Sequence, residues 1–418
     1  MSAAFKLGWR NLWRSPRRTA IELTSLAGAV FLGMTMLNLQ AGMYPVYIRE
    51  AARAGSGHVG FYRRGYLDLR QVGMTFPVQG LLDVLAGEDA VAGAYARLHL
   101  PGLARSSRDS RAAAMIAVDF GRETEVNPLL QPKRLARGRL PSPDDPWGAA
   151  VGIELAGELG LKLGQKFVWM CQDPKGETVS RLFRVRGVIK SGVPDLDKTA
   201  VFAHRGSAAR VLGVEGQAHE VAVLLKDYKK TEEFLMTAKR LADGLDRVEP
   251  GQVEPVEWSK AMPQIATAIK LDRTGGWVFL SFLLLLVGLG TANTMLISVL
   301  ERTREFGVIR ALGLGGAGIV RMVLAEGLVL GLFGSALGAA AAGLLGLYTE
   351  RRGIDFSRFM GEGQEMGGIF VDPVVYSGWD GPKTAGLVAI MAVLALCASL
   401  YPTWKAVKIK PAQAMRTH

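Results

Sequence analysis

Cysteine is almost missing from this chain: Cys171 and Cys397 are the only two in 418 residues. Cys397 sits inside a long apolar run and Cys171 in a polar region, so they are not expected to meet. No intrachain disulfide and no cysteine-based metal site is predicted. The five histidines (His58, His99, His204, His219, His418) are scattered, and no His-Glu-x-x-His zinc motif occurs. There is no Gly-Lys dipeptide, which removes the Walker A phosphate loop as a route to ATP. The Gly-x-Ser-x-Gly nucleophile elbow is also missing. The expectation is a non-catalytic chain with no metal site and no cofactor of its own.

Apolar residues make up 49% of the chain and are unevenly spread. Four windows reach the roughly 20 residues needed to cross a bilayer. Trp277–Leu300 contains no charge, and neither does Thr384–Trp404, which Lys383 and Lys405 flank. Thr19–Met43 and Val323–Tyr348 each hold one acid near the start, Glu22 and Glu326. The first window follows a basic stretch, as a signal peptide would. Its apolar run exceeds the usual h-region of about 7–15 residues, so it is read as a retained anchor.

The net charge of +12 is concentrated beside these windows. Residues 1–18 carry Lys6, Arg10, Arg14, Arg17 and Arg18 with no acid. Residues 301–321 carry four arginines against Glu301 and Glu305, and the tail from Lys405 carries Lys408, Lys410 and Arg416 as well. With four spans, all three pieces fall on one face of the membrane, and short basic loops stay in the cytosol. The charge is therefore a topology signal, and no nucleic-acid partner is needed.

The resulting fold class is an α-helical membrane protein with four transmembrane helices and a large α+β extracytoplasmic domain between helices 1 and 2. Residues 1–18 form a cytosolic amphipathic interfacial helix, with Trp9 and Trp13 at headgroup depth and Arg10 and Arg14 toward anionic lipid. Spans follow at 19–43, 277–300, 322–348 and 384–404. The extracytoplasmic domain covers 44–276, with a strand-rich subdomain at about 137–204. Residues 301–321 form a cytosolic helix and loop, 349–383 a smaller outer loop, and 405–418 a cytosolic tail.

The third span pairs Gly327 with Gly331 and Gly334 with Gly338, a spacing that lets helix backbones approach closely. Glu326 is an intramembrane acid, a functional candidate by its position. It is expected to be solvated at the cytosolic edge or paired with Arg321. Glu22, beside Arg17 and Arg18, is expected to form an interfacial ion pair. Gly313, Gly315 and Gly318 spell G-x-G-x-x-G without the strand that a dinucleotide site requires, so they are read as a turn.

Between the second and third spans stands "ERTREFGVIRALG", residues 301–313. A short rigid helix joining two spans is a handle, because force on it reaches both. Phe306 and Ile309 are expected to enter an apolar groove on a soluble motor, with Glu301, Arg302, Arg304, Glu305 and Arg310 making charge contacts at its rim. This segment resembles the coupling-helix motif of the FtsX-like permeases, the ABC transporter membrane subunits related to MacB and LolC/LolE. "WRNLWRSPRRT" is similar to the family's opening, and "GHVGFYRRGYLD" to the start of the outer domain in LolC/LolE-like members. "GRLPSP", "GIELAGELGLKLGQKF", "LAEGLVLGLFGSALG" and "YPTWKAVKIKPAQAMR" resemble later stretches in order.

The resemblance implies a MacB-like periplasmic core domain and a dimer of permease subunits, identical or paralogous, in the bacterial inner membrane with both termini cytosolic. It implies separate ABC ATPase subunits that bind ATP and Mg. MacB carries its ATPase fused at the N-terminus, a layout set aside here because the chain opens at the membrane. Among family members, LolC/LolE-like proteins release lipoproteins to a periplasmic carrier, and this is the leading expectation. MacB-like mechanotransmission export and FtsX-like signalling through an outside partner are the alternatives.

Overall fold

The computed structural model describes residues 15–245, 249, 251–313, 315–360, 364–366, 369–371 and 374–407. The expected interfacial helix with Trp9, Arg10, Trp13 and Arg14 lies outside the described residues, as does most of the tail. The chain divides into two compact units. One comprises Met1–Tyr44, Leu271–Asp355 and Val374–His418; the other comprises Pro45–Lys270 and Phe356–Pro373.

The first unit is built on α1 (Pro16–Ala54), α2 (Pro263–Glu301), α3 (Thr303–Ala311), α4 (Gly316–Arg352) and α5 (Gly381–Val407). All but α3 are long and apolar enough to cross a membrane. They outrun the apolar windows of the sequence at both ends, because an i→i−4 ladder continues until something breaks it. Pro16 opens α1, at a position where a missing N–H would have had no partner anyway. Both α1 and α2 run without interruption from one unit into the other.

Apolar side chains from all four long helices share one core. It contains Leu26, Val30 and Met34 of α1, Leu280 and Met295 of α2, Val329 and Leu330 of α4, and Leu387 and Met391 of α5. Four of the glycines of α4 set how closely its neighbours approach. A Cβ on Gly327 would stand 2.0 Å from Ser399 Oγ, and one on Gly331 2.8 Å from Ala395 Cβ, both on α5. A Cβ on Gly334 would meet Leu26 Cβ at 2.6 Å, and one on Gly338 the Ala27 carbonyl at 2.3 Å, both on α1. One helix thus uses two small-residue pairs for two different partners.

The second unit is α+β. Its main sheet has ten strands, β1 (Val59–Arg63), β2 (Val91–Arg105), β3 (Ser110–Val118), β4 (Leu135–Gly138), β5 (Gly148–Gly152), β6 (Lys166–Gln172), β7 (Thr178–Ile189), β8 (Ala200–His204), β9 (Glu220–Leu225) and β10 (Val253–Glu257). They pair in the order β10-β1-β9-β2-β3-β8-β5-β7-β4, and β6 pairs with both β2 and β7. The pairing therefore closes a ring, β2-β3-β8-β5-β7-β6, around a core that includes Leu98, Leu100, Met115, Trp169, Phe183 and Val201.

The pairing of this ring begins at Leu98, well ahead of the 137 expected from sequence. The reason is β2, whose 15 residues serve two neighbourhoods: its first half pairs with β9 and its second with β3 and β6. Ala and Gly at many of its positions hide the alternation that would have marked it.

Where α1 ends, a buried charge receives it. Arg97 of β2 is 3% exposed and donates to the carbonyls of Arg53 (3.2 Å), Ala54 (3.2 Å) and Gly55. Those are carbonyls that a helix C-terminus leaves without intrahelical partners, and a cation there also suits the helix dipole. Glu123, 1% exposed, accepts from Arg97 Nε at 2.9 Å and Nη2 at 2.7 Å. Burial works against the Arg97 charge, but Glu123 and Glu220 outweigh it and raise its pKa above the ordinary value. Glu220 in turn accepts from Tyr62 Oη at 2.9 Å and contacts His99 Nε2 at 2.7 Å. Burial alone would raise Glu220, yet His99, Arg97 and Tyr62 together hold it at about 2. Gly57 then turns the chain into β1 at φ 74°, and a Cβ there would fall 2.5 Å from the Val223 backbone.

The α4 contacts give a direct test. Gly338→Leu is expected to cost about 1–3 kcal/mol by overpacking against Ala27 and Val30. Gly343→Ala, where a Cβ meets nothing within 4 Å, is expected to leave stability unchanged or slightly raised. Thermal unfolding of the two variants in detergent reads the difference.

Candidate functional site: the α2–α3–α4 corner

At the end of α2 the chain turns through Arg302 into the nine-residue helix α3, then through Gly313, at φ 98°, toward α4. Arg302 is the centre of the corner. Its Nη1 donates to Glu326 Oε2 of α4 at 3.0 Å, and its Nε reaches Glu305 Oε2 of α3 at 3.4 Å. The guanidinium also lies over the Phe306 ring, 5.3 Å from the centroid. The Arg302 and Glu326 side chains are only 16% and 8% exposed, which makes this a mostly desolvated ion pair. Buried pairs of this kind are strongly coupled, because removing one member strands the other.

A second pair ties α1 to the same corner. Arg18 Nη1 donates to Glu301 Oε2 at 2.6 Å, and its Nη2 to Ser298 Oγ at 2.8 Å, both on α2. Glu22 is 6% exposed, and its Oε1 has no hydrogen-bonding partner among the described residues. Among the described residues no ion pair to Glu22 is seen within 4 Å, and Arg18, one of the cations expected beside it, pairs with Glu301 of α2. Glu326 likewise pairs with Arg302, not Arg321, whose Nε donates to the Ala317 carbonyl.

Phe306 points inward. It is 1% exposed and packs with Val299, Ile319, Met322 and Val323. It therefore fastens α3 to α2 and α4 and is not offered to a partner's groove, which corrects the role expected for it. Ile309 and Arg310 are half-buried, and Glu305 is engaged by Arg302. The face that α3 does present carries Arg304, Val308 and Leu312, spaced i, i+4, i+8. Val308 is 45% exposed and Leu312 83%. Sequence reasoning passed over these two; an apolar residue outside the Phe306 stripe was the available signal. Among the described residues, no group of His, Cys, Asp or Glu is arranged to hold a metal ion.

The helix α3 is thus joined to α2 through the chain and to α4 through Arg302–Glu326 and Phe306, and α2 is joined to α1 through Arg18.

Residues 277–411 match the family model described as FtsX-like permease C-terminal, which spans α3 and the three helices around it. The chain is 23% identical over 272 residues to the lipoprotein-releasing system transmembrane protein LolC of Neisseria meningitidis, covering 64% of each. It is 25% identical over 421 residues to the macrolide export ATP-binding/permease protein MacB of Nitrobacter winogradskyi, covering 96% of this chain and 58% of that one. The chain thus spans somewhat under two thirds of the length of these two relatives. The periplasmic region of MacB from Actinobacillus actinomycetemcomitans superposes with a TM-score of 0.36 at 12% identity, covering 50% of this chain and 92% of that one.

The ion pair makes a specific demand. Glu326→Leu leaves the mostly desolvated Arg302 with only its longer contact to Glu305 and is expected to destabilise by up to about 3–5 kcal/mol. The double variant Arg302→Met, Glu326→Leu is expected to recover most of that loss. A double-mutant cycle read by thermal unfolding in detergent tests the coupling; additive losses would refute it.

Residues 277–411 thus match the FtsX-like permease C-terminal family model, and over longer stretches the chain is similar, at 23% and 25% identity, to the LolC and MacB relatives.

Proposed function

We propose that this chain is a permease subunit of an ABC transporter in the bacterial inner membrane, driven by an ATPase on a separate chain that binds ATP and Mg. The observation that carries the reading is α3, a short helix between two membrane helices, held to its neighbours by Arg302 and Phe306 while Arg304, Val308 and Leu312 face outward. The ATPase grips that face. The stroke moves α2 and α4 together, and α1 and α2 carry it into the α+β domain, because both helices are continuous. In this reading the termini are cytosolic, the α+β domain is periplasmic, and a second permease, a copy or a paralogue, completes the transporter.

For the substrate we propose a lipoprotein released from the membrane, by analogy with the lipoprotein-releasing system to which the LolC relative belongs, and a periplasmic carrier that receives it. The outward side chains of α2, Phe279, Phe282, Leu285 and Leu286, form an apolar face suited to acyl chains. One observation favours a second reading. The MacB relative aligns over 96% of this chain, which supports MacB-like mechanical export of a periplasmic substrate.

Arg304→Glu and Leu312→Ser should each abolish ATPase recruitment or its stimulation while the chain still inserts. Co-purification and ATPase assays read this, and unchanged activity would overturn the coupling role of α3. A photoreactive residue at Phe282 should label lipoprotein acyl chains. Labelling confined to the α+β domain would transfer the proposal to export.

A further inference from the structure

The outer part of α1 lines a cavity of about 420 Å³ in the α+β unit that the transport reading does not use. Pro45, Arg49 and Arg53 enter its wall at i, i+4 and i+8, one stripe of the helix. The opposite wall is the end of β9 and the turn after it, Leu224–Tyr228, with Tyr95 of β2 to one side.

The cavity is cationic. Arg49, Arg53 and Lys226 line it against one acid, Asp227. Asp227 Oδ1 is engaged by the Lys229 backbone N–H at 3.0 Å, and Glu50, nearby on α1, reaches Arg53 at 3.4 Å. Arg49 and Lys226 are exposed and have no ion pair among the described residues.

His58 supplies the second, independent observation. It lines the same cavity and is 5% exposed. Its Nδ1 accepts the Leu225 backbone N–H at 2.9 Å, so the neutral ring carries its proton on Nε2. That Nε2 is buried and has no hydrogen-bonding partner among the described residues. Burial, then Arg53 and Arg49, lower the His58 pKa to about 4, so the ring is a neutral donor at physiological pH. A buried donor left unsatisfied costs free energy, and such groups are found with a partner in native structures.

We propose that this cavity binds a phosphate-bearing anion, held by Arg49, Arg53 and Lys226 and accepting a hydrogen bond from His58 Nε2. Guanidinium groups match phosphate oxygens in geometry as well as charge. Two sources carry this chemistry: an anionic phospholipid headgroup and free phosphate. Arg49 stands six residues beyond Met43, the end of the first apolar window, which is about 9 Å along a helix. A headgroup can be met at that distance. The proposal does not depend on the transport reading and would survive its failure.

Calorimetric titration of the purified full chain in an uncharged detergent tests it, with inorganic phosphate and dihexanoyl-phosphatidylglycerol as separate probes. At least one is expected to bind, with the His58 ring signals shifting in histidine-labelled NMR spectra. Binding of the lipid alone assigns the site to a headgroup; equal binding of phosphate assigns it to a soluble anion. Arg49→Gln and Lys226→Gln, both at exposed positions, should each weaken binding about tenfold. His58→Gln should weaken it by a similar factor. No binding of either probe, or binding that Arg49→Gln and Lys226→Gln leave unchanged, would overturn the proposal.

Discussion

One desolvated ion pair, Arg302 with Glu326, decides what the corner between α2 and α4 can do. A guanidinium between two helices, closed over an aromatic ring and paired with an acid in a membrane helix, cannot be released cheaply. Each member would be stranded in a medium that solvates charge poorly. The short helix α3 therefore does not behave as a loop that happens to be helical. It is pinned from beneath by Phe306 and from the side by Arg302, and this leaves a defined outer face. The functional reading depends on that rigidity, since a compliant helix would absorb a stroke without passing it on.

The glycines of α4 supply the complementary constraint. Membrane helices gain little from burying apolar surface against each other, so association rests on close packing and polar contacts. Gly327 and Gly331 bring α5 to van der Waals contact, and Gly334 and Gly338 do the same for α1. With α4 tied to α3 at the corner and packed tightly along its length, displacement of α3 is shared among several helices. At the far end of α1, Arg97 caps the helix inside the α+β domain with a buried charge.

Much of this was legible in the sequence. The four spans follow from uninterrupted apolar length, and the glycine spacing announces close packing. Glu326 stands out as an acid where acids are expensive. Its partner could not be read. Arg321 is the nearest cation in sequence, but five residues along a helix is about 140° around it, so the two face apart. Arg302 comes from the turn between α2 and α3, 24 residues earlier. The orientation of α3 was equally hidden, because in nine residues Phe306 and Val308 offer competing apolar faces and only tertiary packing chooses between them. The extent of the strand ring was obscured by the small residues of β2, and the Arg97–Glu123–Glu220 group by pairings distant in sequence.

The central claim is that α3 is locked to its neighbouring helices in the resting protein. Hydrogen exchange of the full chain in lipid nanodiscs, followed by mass spectrometry, tests this without any substitution. Peptides covering residues 303–311 should exchange as slowly as the adjoining ends of α2 and α4, opening only when those helices open. Exchange of α3 within seconds, while α2 and α4 stay protected, would show a loosely held helix and contradict the account.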